Sequence, residues 1–273
     1  MSKSSLRLVA LCLSLPLLIL LLALFKAFGA DAVDGHAIDL DAVLAGASRA
    51  HLLGTDALGR DVLARLAEGL QLSLMVSVTV VALGGMIGIS IGMLAGWVGG
   101  WLDALLMRLA DVVLSFPGIL LAIALAAMLG PGIENLVMAL VVVGWVGFAR
   151  LARVQVLSFK SVAFVEAAVA NGSTAPYIAL FHLLPNIAAA LLIEASFGVA
   201  AVIIGEAGLS FLGVGVQPPD ASLGTMIREG TRLMLVEPAL VVWPGLILFS
   251  LVMAVNLLGD ALRDKLDVRM QRG

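Results

Sequence analysis

The sequence predicts an all-α membrane protein of six transmembrane helices, joined by short links and one longer polar loop. Three observations lead there. The chain of 273 residues is 62% hydrophobic and 13% charged, against about 45–50% and about 25% in an ordinary soluble domain. Its mean hydropathy is +1.13. Its apolar residues gather in runs that suit a hydrocarbon core of about 30 Å, which a helix crosses in roughly 20 residues. Polar residues this scarce do not cover a water-facing globule, so a soluble enzyme and a disordered chain are both excluded. With 16 Lys+Arg against 19 Asp+Glu, a strongly basic nucleic-acid binder is excluded as well.

The first span is expected over residues 8–25, behind Lys3 and Arg7 and ahead of Lys26. A cleaved signal peptide is the rival reading, since Gly29 and Ala30 follow closely. The run is longer than the about 7–15 residues of a signal core, which favours a retained anchor over residues 1–28. The one cysteine, Cys12, lies in this run; it forms no internal disulfide and reads as a small hydrophobe. Residues 29–68 form an external segment carrying Asp31, Asp34, Asp39, Asp41, Asp56 and Asp61. The core, residues 69–260, holds the remaining spans at 70–97, 109–129, 136–148, 187–213 and 239–258. Residues 261–273 form a polar tail.

Between the spans, residues 99–108 make an internal turn, and Gly130-Pro131-Gly132 marks an external one. Residues 149–186 form the main internal loop. Residues 216–237 form an external loop opened by Gln217-Pro218-Pro219. Placing the N-terminus in the cytoplasm puts ten of the Lys and Arg residues inside and six outside, the sense of the positive-inside rule. Both termini are then cytoplasmic.

The second span carries Gly84, Gly88, Gly92, Gly96 and Gly100, one every fourth residue. Such a stripe lets another helix backbone approach closely; its partner is not readable from sequence. Pro117 in the third span and Pro244 in the sixth each remove a backbone donor, so each is expected to kink its helix.

No phosphate-cradling G-x-x-x-x-G-K-[ST] loop and no H-E-x-x-H pair is present, so neither ATP binding nor zinc hydrolysis resides here. His36, His51 and His182 are scattered through the links and suggest no metal. The chain shows no reaction centre and is read as a transport subunit. Asp111, Glu194, Glu206 and Asp260 are the charges in or at the ends of spans. A charge at mid-depth costs several kcal/mol, so it faces protein or water. Glu194 is either a pathway-lining group or a structural hydrogen-bond partner, with proton coupling a third reading. Glu206 lies deeper along the same span.

Within the internal loop the sequence reads Phe164-Val-Glu166-Ala167-Ala168, then Asn171-Gly172, then His182-Leu-Leu-Pro185-Asn186. That is two short helices broken at Gly172, where glycine permits a backbone turn, with Glu166 near a helix start, where the dipole favours it. This pattern resembles the EAA loop of permease subunits of bacterial ABC importers, in which E-A-A is followed by a glycine and a downstream L-P-N. Asn171 departs from the apolar residue common before that glycine. His51-Leu-Leu-Gly54-Thr55-Asp56-Ala-Leu-Gly59-Arg60-Asp61 resembles the external motif of the C-type permease of dipeptide, oligopeptide and nickel importers. The stretches 205–219 and Asn256-Leu-Leu-Gly259-Asp260 are similar to two further signatures of that group. The likeness runs from about His51 to Arg269.

The resemblance implies a MetI-like permease fold in a bacterial inner membrane. It implies that Glu166, Ala167, Ala168 and Gly172 form a cytoplasmic coupling loop seated in a cleft of the ATPase. It also implies pairing with a homologous B-type permease, two ATPase subunits that hold ATP and Mg, a solute-binding protein, and no cofactor in this chain. The cargo it implies is short peptides; nickel or another small solute is the alternative. A lone ion-coupled secondary transporter and a purely structural subunit are the readings from other classes.

Overall fold

The computed structural model describes residues 35–270. The expected first span, residues 8–25, lies outside the described residues. Eight helices follow: α1 (Val62–Val98), α2 (Gly100–Leu114), α3 (Gly118–Leu129), α4 (Ile133–Phe159), α5 (Ala163–Ala170), α6 (Ala175–Phe211), α7 (Leu223–Thr231) and α8 (Ala239–Met270). Among the described residues, α1, α4, α6 and α8 are each long and apolar enough to cross a membrane, and α2 with α3 makes a fifth if the bent pair is one span.

Most departures from the expected spans have a local cause. α1 begins eight residues before the apolar run because Asp61 caps it, its Oδ1 accepting the Ala64 N–H at 2.9 Å. That bond satisfies one of the donors a helix start leaves free. The third span is not one kinked helix. It breaks over Ser115–Pro117, and its two halves meet at 84°. Pro117 is extended at ψ 120° and caps α3; its ring disfavours helix at the residue before it. α4 is 27 residues long because Arg150 and Arg153 continue its pattern, each finding an aspartate on α2. α6 starts at Ala175 and widens into a π turn over Ala179–Leu183. Pro185 follows and offers no N–H to the carbonyl four residues back, which favours that widening. α8 runs unbroken through Pro244 and on into the expected tail.

Three apolar cores stack along the bundle. One gathers Leu63, Leu66, Ile203, Leu223, Met226 and Ile247 from α1, α6, α7 and α8. The middle one gathers Val76, Val80, Ala126, Leu136, Ala139 and Val202 from α1, α3, α4 and α6. The third gathers Phe148, Val156, Val165, Ile178, Leu183 and Ile187 from α4, α5 and α6. We call the first the cap end and the last the turn end.

The glycine stripe finds its partner in α4. A Cβ on Gly88 would stand 2.2 Å from the Trp145 carbonyl oxygen, and one on Gly92 would stand 2.1 Å from that of Ala149. Only glycine permits this approach. Gly100 does not belong to the seam: it follows the end of α1 at φ +61°, in open space.

Candidate functional site

At the turn end, α5 is a short element with one buried face. Val165 and Ala168 are buried in the third core. The other faces of the helix are therefore turned out, and Glu166 and Ala167 are exposed. Gly172 closes the element at φ +79°. Its N–H donates to the Val169 carbonyl at 2.9 Å and the Ser173 N–H to that of Ala168 at 3.1 Å, satisfying carbonyls that the helix end leaves free. Thr174 is extended and caps α6. The EAA residues thus form a solvent-facing knob, but Ala168 lies under it rather than on it.

The knob is braced from below. Lys160 Nζ donates to the Trp97 carbonyl at 2.5 Å, with its charge 5.6 Å from the indole centre, tying the end of α1 to the root of α5. Arg153 forks onto Asp103 of α2 at 2.5 and 2.6 Å, and Arg150 donates to Asp111. Asp111 is therefore an ion-pair partner.

In the bundle, Glu194 and Glu206 differ. Glu194 is partly buried, with its Oε1 over the bare backbone of Gly147, 2.6 Å from where a Cβ would stand. Glu206 is fully buried. It accepts from Ser73 of α1 at 2.8 Å and from Ser210 at 2.9 Å. It faces protein and joins two helices. Asn256 is half-buried and Asp260 is exposed on α8.

At the cap end, the motif from His51 to Asp61 folds into a small knot. Gly54 and Gly59 hold φ of +78° and +72°, and a Cβ on Gly59 would fall 1.7 Å from the Asp39 carbonyl oxygen. Thr55 Oγ1 accepts the Ala45 N–H at 2.8 Å and donates to the Ala42 carbonyl. Asp61 takes His51 Nδ1 at 2.9 Å on the oxygen not used in capping. Asp56 Oδ2 binds Arg60 Nε at 2.8 Å and Arg65 Nη1 at 2.6 Å, and both arginines reach Glu229 of α7. Two cations and two anions make a compact charged cluster beside a cavity of about 330 Å³. The sequence pointed to Asp56 and Arg60 but not to Arg65, Glu229 or Ser73. A charge early in an otherwise apolar helix was the available sign for Arg65; nothing local marks a partner 164 residues away.

What the described residues form is an apolar bundle with an exposed turn, packed and braced from below, at one end and an ionic knot at the other.

Comparison with known proteins agrees with that reading. Residues 88–272 match the family described as binding-protein-dependent transport system inner membrane component. The chain is 40% identical over 255 residues to the glutathione transport system permease protein GsiD of Escherichia coli O6:K15:H31 (strain 536 / UPEC), covering 93% of this chain and 84% of the relative. GsiD of Shigella boydii serotype 4 (strain Sb227) matches to the same extent. In fold, it is similar to a chain of the MetNI methionine ABC transporter in inward-facing conformations, with a TM-score of 0.55 and 18% identity over 74% of this chain and 95% of that one. The chain therefore belongs to the binding-protein-dependent transport system inner membrane components, the permease subunits of ABC importers.

Proposed function

We propose that this permease imports short peptides, with a homologous B-type permease forming the other wall of its path. In this reading residues 8–25 supply a sixth span, both termini are cytoplasmic, and residues 29–68 with the cap end face the solute-binding protein. The turn end then faces the cytoplasm, where Glu166, Ala167 and Gly172 dock into an ATPase subunit that carries the ATP and Mg. Closure of two such subunits on nucleotide biases a two-state bundle between inward and outward openings. Glu194, polar and partly exposed between apolar helices, is the residue assigned to the path; Glu206 is assigned to structure.

The observation that carries this reading is the exposed α5 knob, rooted in a packed core and braced by Lys160 and Arg153. A push on it reaches α4 and α6 directly. The peptide assignment is supported by the relatives, whose name specifies glutathione, a small peptide.

Uptake by cells lacking this chain tests the cargo. Labelled di- and tripeptide uptake is expected to fall to background and return on complementation, with nickel uptake unchanged. Loss of nickel uptake with peptide uptake intact would overturn the peptide assignment while leaving the permease identity standing.

A further inference from the structure

The cavity of about 330 Å³ beside the ionic knot lies between the 56–65 stretch, α7 and the start of α8. Small-molecule sites span about 300–1,000 Å³, so its size suits a small ligand. Val62, Met226, Leu233 and Leu240 give it an apolar wall. Five charged residues also line it, the anions Asp56 and Glu229 and the cations Arg60, Arg65 and Arg232. One positive charge is therefore left over at neutral pH.

The hydrogen bonds are out of balance in the same sense. Each Asp56 oxygen already accepts two donors, and Glu229 Oε2 accepts two more. A guanidinium carries five N–H donors. Arg60 commits only Nε and Nη2 to these carboxylates, and Arg65 only Nη1. Arg65 Nε is buried without an acceptor, the one side-chain nitrogen or oxygen in that position among the described residues. The residue is 2% exposed, so water does not relieve it freely, and a buried donor without a partner is costly. Arg232 lines the cavity from an exposed position, and among the described residues no hydrogen bond or ion pair engages its guanidinium.

Surplus donors and a surplus positive charge call for an acceptor-only anion. A metal cation or an ammonium group would worsen both. A carboxylate meets the planar guanidinium fork through parallel N–H···O bonds, and its single charge cancels the one left over. The apolar wall calls for a carbon body behind that head.

We propose that this cavity binds a small organic monocarboxylate with an apolar body. Its head lies on Arg232 and the uncommitted N–H groups of Arg60 and Arg65, and its body lies against Val62, Met226, Leu233 and Leu240. The C-terminal end of a short peptide and a free short-chain acid both present that chemistry. Bound there, the ligand bridges the start of α1 to α7 and α8. The site stands on these residues whatever the transporter carries.

The test titrates the full chain in neutral detergent by calorimetry with hexanoate, alanyl-leucine and the amide of each. At least one acid is expected to saturate one site, and its amide to bind about tenfold more weakly or worse, since the charge-assisted bonds are lost. Saturation by alanyl-leucine alone names the peptide end as the ligand, and by hexanoate alone the free acid; either supports the proposal. Arg232→Gln is expected to weaken the saturating acid about tenfold with an unchanged unfolding midpoint, because the side chain holds nothing else. Glu229→Gln keeps an acceptor for both arginines and removes a negative charge, so it is expected to tighten hexanoate binding severalfold. No saturable binding of either acid, equal affinity for acid and amide, or unchanged affinity in Arg232→Gln would overturn the proposal. The free arginine donors would then be met by solvent alone.

Discussion

Asp56 shows how much one side chain organises at the cap end. It accepts four donors: the Leu58 and Arg60 N–H groups on one oxygen, and the Arg60 and Arg65 guanidinium groups on the other. Arg65 is 2% exposed, so it depends on its two carboxylate partners. Removing one member of a buried ion cluster costs about 3–5 kcal/mol, because the charges left behind are unpaired. Asp56→Ala is therefore expected to lower the unfolding midpoint of the chain in detergent clearly, while Asp41→Asn, on an exposed position, shifts it by no more than about 0.5 kcal/mol in stability. Equal midpoints for the two variants would remove the cluster from the account of stability. Part of this was legible in the sequence: Asp56, Arg60 and Asp61 stand together in a short motif with two glycines. Glu229 was not, since an ion pair across most of the chain leaves no local pattern.

Among the elements, the α1–α4 seam offers the sharpest contrast. A Cβ on Gly92 would meet the Ala149 carbonyl oxygen at 2.1 Å, whereas one on Gly84 would rest at 3.4 Å from the Trp145 nitrogen. Gly92→Ala is expected to cost about 1–3 kcal/mol through overpacking, and Gly84→Ala much less, read from unfolding of the two variants in the same detergent. The fourfold spacing of glycines was visible in the sequence, and so was a need for close approach; that α4 answers it was not, because α4 carries no matching stripe. Hydropathy also missed the 84° break between α2 and α3. α3 carries no charge and the stretch before it carries only Asp111, so the two read as one apolar run, and an apolar count has no term for direction. Pro117 gave the position of the disturbance but understated its size.

For the whole molecule, the exposed turn and the packed bundle are separable. Glu166→Lys combined with Gly172→Pro reverses a charge on the exposed face and places a residue fixed near φ −65° where +79° is held. Val165 and Ala168 keep their places in the core. Membrane insertion is expected to be normal, while copurification of the ATPase and solute uptake are lost. Normal copurification and uptake would show that the knob is not the docking surface. The seam has a mechanical corollary. With backbone meeting backbone at Gly88 and Gly92, α1 and α4 cannot creep past each other; the next matching alignment lies four residues away, about 6 Å along the axis. The pair travels as a single strut, and in the proposed alternation between openings bending falls to its joint with α2, where Gly99 and Gly100 lie at φ +71° and +61° with no neighbouring atom within 4 Å of where a Cβ would stand.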